Sequence, residues 1–484
     1  MKKGDLLELD ITGYAFEGKG VAKIIKNAPT QDSTEPKKFV VFVNGTYPGD
    51  KVFAQLTKIR KSYAEAKVKV LITKSPFRVV PKCKYFGVCG GCNAQDLNYE
   101  NQIKYKEEQL KDIFERIGEL DKFEILPIEP AEKPFFYRNK MEFSFADKRW
   151  LTHDEIDSVQ EIPDKNFALG FHVPGVYDKV LDIDECWLQS ELSNQILNFT
   201  RGFSKKHQVL PYSAQNHDGF LRNLVIKQSF SKAEIMVNLV VSEEDERLFM
   251  TYKEKLLTRF PEITTLLFNV NKKLSQVAYG DYEILAHGQG FIYDFIGDFK
   301  FRISANSFFQ TNTSQAVKLY SIAKDFAGFL GNEVVYDLYS GAGTIPIFVS
   351  KQAKLIYGFE SVEPAISDAL VNIELNKIHN FIPILADLNK SFLPIIREKN
   401  ILNPDIIIAD PPRSGMNPKI VKDILEIRPD KIVYISCNPA TQARDIKLLR
   451  DGGYKLIKIK PVDMFPHTHH IENVALLTKQ LILH

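Results

Sequence analysis

The last third of the chain alternates short apolar runs with stretches of helical period, and few architectures tolerate that pattern. From about residue 316 the runs EVVYDLY, LIYGFE, FIPILAD, DIIIAD and KIVYIS follow one another, ending in the pair YKLIKIKPV and ENVALLTKQ. A strand that is apolar on both sides needs cover on both faces, which a largely parallel sheet flanked by helices supplies. The expected fold class is therefore α/β, with a doubly wound domain over residues 296–484. No apolar run approaches the ~18–20 residues of a membrane-spanning helix. The opening MKKGDLLELD carries lysines with no apolar stretch behind them, unlike a secretory leader. The expectation is a cytoplasmic, monomeric protein without membrane association.

The remaining chain reads differently. At roughly 150 residues per domain, 484 residues suggest about three domains. Residues 1–72 hold short alternating strands punctuated by glycine, the pattern of a small β-barrel, with Asn27–Lys38 as a surface loop. Ile103, Leu110, Ile113, Phe114 and Ile117 recur at helical spacing before Gly118, which predicts a helix within 98–119 packed on the C-terminal domain. Residues 73–97 and 120–295 are rich in alternating runs such as YRNKMEFSFA and LRNLVIKQSF, predicting an antiparallel central β-rich domain with a hairpin excursion over Lys148–Asn166.

The formal charge of +2 says little about partners, but local charge says more. Between Lys51 and Lys82 there are nine Lys/Arg and one acid, Glu65. A strand through Lys67-Val68-Lys69-Val70 would have one basic and one apolar face. Such a strip either docks phosphates or is a solvated edge whose lysines discourage aggregation.

In a doubly wound sheet the strand ends converge on a ligand crevice. The first strand runs into Asp337-Leu338-Tyr339-Ser340-Gly341-Ala342-Gly343-Thr344, where two glycines allow a tight turn close to a ligand. Glu360, nineteen residues after Gly341, is placed to bind ribose hydroxyls, and Asp387 to meet a purine edge. Pro346 stands where a dinucleotide site has its third glycine, which favours S-adenosylmethionine over NAD. Two further strand ends carry Asp410-Pro411-Pro412-Arg413 and Cys437-Asn438-Pro439; there Cys437 reads either as a small buried hydrophobe or as a nucleophile. The tail Phe465-Pro466-His467-Thr468-His469-His470-Ile471-Glu472 reads as a turn before the last strand, as a general base at Glu472, or as a metal site. Of the five cysteines, Cys83, Cys89 and Cys92 lie within ten residues, a clustering that favours metal over disulfides.

Taken together, SFFQTN (307–312), DLYSGAGT (337–344), DPPRSG (410–415), SCNPAT (436–441) and DMFPHTHHIE (463–472) resemble the RNA uracil-C5 methyltransferase family, most of all its 23S rRNA branch. The resemblance implies a Rossmann-like methyltransferase domain, a TRAM domain in the N-terminal 72 residues, and structured RNA as partner, with 23S rRNA ahead of tRNA. It implies Gln310, Tyr339, Gly341, Gly343, Thr344, Glu360, Asp387 and Asp410 around S-adenosylmethionine. Asp410 would hold the uracil, Cys437 would be the nucleophile and Glu472 the proton-abstracting base. Cys83, Cys89, Cys92 and Cys186 resemble an iron–sulfur signature, implying a [4Fe–4S] cluster, although four thiolates also suit zinc.

The chemistry accounts for these residue types. Carbon-5 of uracil is a poor nucleophile until a thiolate adds at carbon-6 and makes the ring an enolate. The nucleophile must be soft and a good leaving group, which suits cysteine. A free thiol has pKa ~8.5, so the site is expected to favour thiolate, with the cofactor's sulfonium and Arg413 helping. A stacked base must be flipped out, and Phe308 and Phe309 each read either as a ring that stacks on it or as core packing. Two other readings are a non-catalytic RNA-binding or assembly factor, and an amino-group methyltransferase. The latter's D-P-P motif usually continues with an aromatic residue, where this chain has Arg413.

Overall fold

The computed structural model describes residues 1–25, 38–120, 122–157, 162, 164–274 and 277–480. The Asn27–Lys38 loop expectation lies outside these residues, except for Lys38, which opens a strand.

The catalytic half is an eight-stranded sheet. In spatial order its strands are Phe381–Leu385, Leu355–Glu360, Val334–Leu338, Ile406–Ala409, Lys431–Ser436, Glu472–Lys479, Tyr454–Val462 and Glu124–Ile125. The first five are parallel, and Glu472–Lys479 runs antiparallel to both of its neighbours. Every residue of Val334–Leu338 is buried, because separate apolar clusters cover the two faces. The helix Thr313–Ala327 covers one face, and Tyr99–Arg116 and Pro439–Asp451 cover the other. This is the doubly wound α/β arrangement. Its order reverses between Val334–Leu338 and Ile406–Ala409, where a crevice opens at the carboxyl ends.

The N-terminal strands, from Leu6–Asp10 to Tyr63–Thr73, form a curled six-stranded sheet around Leu9, Val41, Val43, Val52, Leu56 and their neighbours. The expected two-faced strand is modified there. Phe53 pairs with Val70 but Ala54 with Val68, so Lys69 sits in a bulge and the alternation slips. Val70 is consequently exposed beside Phe53 rather than buried. The basic strip is also partly consumed by structure. The Arg78 guanidinium bonds Asp50 and Asp96 and lies 4.6 Å from the Tyr47 ring centre.

The central sheet has seven strands, from Val180–Asp182 to Tyr282–His287. It is not wholly antiparallel. Ile235–Val241 and Ile263–Val270 are parallel, joined by the helix Glu246–Arg259, and a second helix spans Glu191–Lys206. Both strands are buried along nearly their whole length, so their sequences lack the alternation that marks a one-sided antiparallel strand. Within Lys148–Asn166 the described residues include a one-turn helix, His153–Ile156, in place of a hairpin strand. The domain boundary also shifts. The hairpin of Phe291–Ile296 and Phe299–Ser304 packs Ile292, Ile296, Phe301 and Ile303 into the catalytic core, so a cut at 295/296 divides one strand. Glu124–Ile125 extends the catalytic sheet through Lys458 and Ile459.

The helix Tyr99–Arg116 starts at Asn98, whose side chain accepts from Asn101 N, and buries Leu110, Ile113 and Phe114 against the sheet. It also carries a buried cation. Lys106 Nζ meets Asp463 Oδ1 at 2.6 Å with side chains 4% and 0% exposed, and Tyr99 Oη donates to Asp463 Oδ2 at 2.7 Å. Among the described residues no helix is long and apolar enough to cross a membrane. Lys106→Met strands the Asp463 carboxylate in the interior, and should lower stability by ~3–5 kcal/mol in chemical denaturation.

Candidate active site

The crevice is a cavity of about 660 Å³ that the catalytic strand ends share with the Ser304–Thr311 segment. At its nucleotide end the chain turns sharply. Tyr339 takes φ 71°, Gly341 φ 53° and Gly343 φ 79°. Tyr339 N and Ser340 N both donate to Phe359 O at 2.9 and 3.1 Å, folding the turn back over the adjacent strand. Gly343 lies beneath the cavity wall, where a Cβ would come 2.8 Å from the Phe381 ring. Glu360 is fixed by backbone donors: Gly341 N reaches Oε2 at 2.9 Å, and Ser361 N and Val362 N reach Oε1 at 2.8 and 2.9 Å. Oε1 also accepts from Ser361 Oγ and is saturated, so Oε2, with one donor, is the oxygen that keeps lone-pair capacity for a ribose hydroxyl. Gln310, Tyr339, Gly341, Thr344, Glu360 and Asp410 all line the cavity, and Thr344 Oγ1 is hydrogen-bonded with Tyr320 Oη at 3.1 Å.

Asp387 is placed elsewhere. The third strand ends at Leu385, and the Asp387 carboxylate is exposed, pairing with Lys390 Nζ at 3.0 Å and accepting from Asn389 N. It does not line the cavity. Sequence reasoning instead missed Asp337 and Ser340. Asp337 is 1% exposed, and neither its two oxygens nor Ser340 Oγ has a hydrogen-bond partner. Burial, with Asp410 and Glu360 adding, holds the Asp337 carboxyl far above the usual range. An acid inside the buried run Val334–Leu338 was the available signal. Room, two glycines, a fixed carboxylate and unpartnered polar atoms suit an adenosine-bearing ligand.

The reacting end brings Asp410, Cys437 and Glu472 to the same cavity. Strand Lys431–Ser436 ends one residue before Cys437. Asn438 then caps the helix Pro439–Asp451 by accepting from Ala440 N, with the proline in its first turn. Asn438 Nδ2 and Thr441 Oγ1 both donate to Arg413 O, at 3.0 and 3.2 Å, tying the Cys437 loop to the Asp410–Arg413 loop. Glu472 opens the antiparallel strand and is 8% exposed. Phe308 is 74% exposed at the cavity, whereas Phe309 is 8% exposed and packs on Phe301. Of the two aromatic candidates, Phe308 is therefore the one free to meet a base. Arg138, from the central domain, also lines the cavity, and nothing in its local sequence singled it out.

Known proteins carry the same combination. A profile for the tRNA (uracil-5-)-methyltransferases matches residues 296–480, and one for the TRAM domain matches residues 2–69. A protein from Bacteroides thetaiotaomicron named an uncharacterized RNA methyltransferase is 44% identical over 96% of this chain and 99% of its own length. One so named from Chlorobaculum tepidum is 42% identical over 98% of this chain and 96% of its own. The chain belongs to the tRNA (uracil-5-)-methyltransferase family of RNA methyltransferases. Among solved structures, the Pyrococcus abyssi tRNA (uracil-54, C5)-methyltransferase bound to S-adenosyl-L-homocysteine superposes with a TM-score of 0.73 at 29% identity, covering 98% of this chain and all of that one. The present protein is accordingly an S-adenosylmethionine-dependent RNA methyltransferase with a TRAM domain.

The electrostatics of this methyltransferase's site run against charge. Burial, with Glu472 and Asp410 adding, pushes the Cys437 thiol up to about 12, and Arg413 only partly opposes it. Of the two cations expected to favour the thiolate, the cofactor's sulfonium and Arg413, Arg413 is exposed, leans on His470 and offsets the rise only in part. Burial lifts Asp410 to about 6, and lifts Glu472 to about 8 with Asp410 adding. The three tail histidines do not assemble into a metal site: among the described residues no three His, Cys, Asp or Glu side chains are arranged to hold a single ion. His467 is instead buried in a turn against Gln102.

Cys83, Cys89, Cys92 and Cys186 line a second cavity of about 190 Å³, walled by Tyr85, Phe171 and Trp187, with Arg138 on the boundary of both cavities. Burial and the neighbouring thiols raise Cys92 to about 12; burial, with Cys89 and Cys83 adding, raises Cys186 to about 11. Near pH 7 these two are neutral thiols, and holding a metal would require them to give up their protons.

A carboxyl raised from 4.5 to about 8 keeps its proton in the folded chain after the unfolded chain has released it. The folded state therefore loses stability as pH climbs across that window. In ligand-free thermal melts, Glu472→Gln should shrink the fall in Tm between about pH 5 and about pH 8.

Proposed function

We propose that this methyltransferase acts on carbon-5 of a uridine in structured RNA, with Cys437 as covalent nucleophile. The observation carrying this reading is that Cys437, Asp410 and Glu472 line one cavity with the Gly341–Glu360 nucleotide end. When bound, S-adenosylmethionine supplies an electrophilic methyl group on a positively charged sulfur. Gln310, Tyr339, Gly341, Thr344 and Glu360 hold that cofactor, above the turn formed by Gly343. Asp410 hydrogen-bonds the polar edge of the uracil and fixes its orientation, and Phe308 stacks on the flipped base. Cys437, its proton lost to water, bonds to carbon-6, and the ring electrons shift to make carbon-5 nucleophilic. Glu472 is favoured as its carboxylate by the positive charge of the bound cofactor, its proton passing to water, and after carbon-5 has gained the methyl group that carboxylate removes the carbon-5 proton. Those electrons restore the carbon-5–carbon-6 double bond and expel the Cys437 thiolate. Holding base and methyl donor together contributes on the order of 7–11 kcal/mol through proximity.

For the four remaining cysteines, which line one cavity, the group proposed is a [4Fe–4S] cluster ahead of zinc, on the resemblance of their spacing to an iron–sulfur signature. Anaerobically purified protein should carry iron and sulfide, and bound zinc without iron would refute the cluster.

For the RNA, 23S rRNA is the substrate proposed, on the resemblance of the cysteine pattern to the rRNA branch. The tRNA T-loop is the second reading, favoured by the likeness to the Pyrococcus abyssi enzyme. Purified 23S rRNA and tRNA, each incubated with methyl-labelled cofactor, decide between them: the label should enter rRNA as 5-methyluridine. Cys437→Ala should abolish incorporation while retaining cofactor binding. Wild-type protein should form a covalent adduct with 5-fluorouracil-substituted RNA, and its absence points to a non-catalytic RNA-binding factor.

A further inference from the structure

The four-cysteine cavity has no part in the base chemistry, yet the residues beside it grip the segment that carries Glu472. Directly after Cys92, Asn93 N and Ala94 N both donate to His467 O, at 3.0 and 3.1 Å. Gln95 closes the cysteine loop from behind, accepting from Cys83 N at 2.7 Å and reaching Cys92 Sγ at 3.8 Å. Gln102 is 2% exposed and locks the other side of the same turn. Its Oε1 accepts from His467 N at 2.9 Å, while its Nε2 donates to Ala94 O at 2.9 Å and Leu97 O at 2.7 Å. The second approach comes from Cys186. Its neighbour Trp187 packs on Phe135, 6.3 Å between ring centres, and Phe135 lies 4.3 Å from the His467 ring. Lys82, next to Cys83, sits over both Phe135 and Trp187. His467 itself takes φ 64°, an uncommon left-handed conformation for a non-glycine residue, held here by the bonds to its N–H and its carbonyl.

We propose that the cysteine loop is a clasp on the catalytic-base segment: a metal centre held by Cys83, Cys89, Cys92 and Cys186 fixes Asn93 and Ala94, and through His467 fixes the position of Glu472. The inference rests on the reading of Glu472 as the base and of the cysteine cavity as a metal centre. It makes Gln102 a positioning residue, acting through the His467 turn. With the centre removed, residues 83–95 lose their internal tie and the His467 carbonyl loses its donors. The segment 465–472 then samples positions from which Glu472 misses the carbon-5 proton, while Cys437 and the cofactor turn stay in place.

Two measurements on the full chain test the clasp. Hydrogen–deuterium exchange is followed on iron- and sulfide-loaded protein before and after chelation. The amides of 93–94 and 465–472 should exchange about tenfold faster after chelation, while the Val334–Leu338 strand keeps its protection. Unchanged exchange across 465–472, or equal loss of protection in Val334–Leu338, overturns the proposal. Separately, Gln102→Leu, with every cysteine intact, is given cofactor and unmodified RNA. Addition and methyl transfer continue while proton removal lags, so a methylated RNA adduct on Cys437 should accumulate. A Gln102→Leu protein that slows single-turnover methyl transfer as much as overall turnover, with no adduct, also overturns the clasp. Wild-type protein that never methylates uridine sinks the functional reading while leaving the exchange experiment standing.

Discussion

A sheet covered by apolar side chains on both faces leaves its polar groups one place to gather, the carboxyl ends of the strands. In this methyltransferase the strands Val334–Leu338, Leu355–Glu360, Ile406–Ala409 and Lys431–Ser436 are almost wholly buried, and the residue at or just past each end is polar or reactive. Asp410, Cys437 and Glu472 stand in the cavity at the rim of that cover, and their partial burial makes each resist carrying charge. That resistance defines the site. A positively charged methyl donor brought into it meets groups whose ionisation it favours, which couples donor binding to readiness for chemistry.

The catalytic sheet was legible because burial on both faces leaves an unmistakable record: five uniformly apolar runs separated by helical stretches. Tyr339, Gly341, Glu360, Asp410 and Cys437 could be placed at the cavity from the sequence because they stand at or just past the ends of such strands, whereas Gln310 and Glu472 were placed by motif resemblance. What escaped reading did so for physical reasons. The strand Glu124–Ile125 is too short to show any period. The parallel pairing of Ile235–Val241 with Ile263–Val270 depends on a partner thirty residues away, which local alternation does not encode. Asp387 was assigned by counting along a strand that stops two residues earlier. Arg138 reaches the cavity from another domain, and Lys69 is displaced by a bulge that depends on pairing rather than composition.

The domains are joined by polar contacts as well as by apolar packing. Lys106 on the N-terminal side meets Asp463 just before the Phe465–Glu472 segment, and Asn139 in the central domain donates to Gln310 O at 2.8 Å and Thr313 Oγ1 at 2.8 Å. Each contact fixes backbone next to a residue that lines the cavity. A buried charge pair adds little net stability, but it penalises any alternative arrangement that separates its members. The register of the domains is thereby set by a few directional interactions, with apolar area supplying the bulk of the cohesion.

The reversed direction of the Glu472–Lys479 strand has a consequence for biosynthesis. Once the ribosome has released the chain through Asn438, the parallel strands, both glycines and Cys437 are all available to fold, and a nucleotide pocket can exist. Glu472 arrives only with a later strand, inserted between Lys431–Ser436 and Tyr454–Val462. Asp410 and Cys437 are thus encoded ahead of the strand that brings Glu472, and the cavity gains Glu472 only when that strand inserts into the sheet.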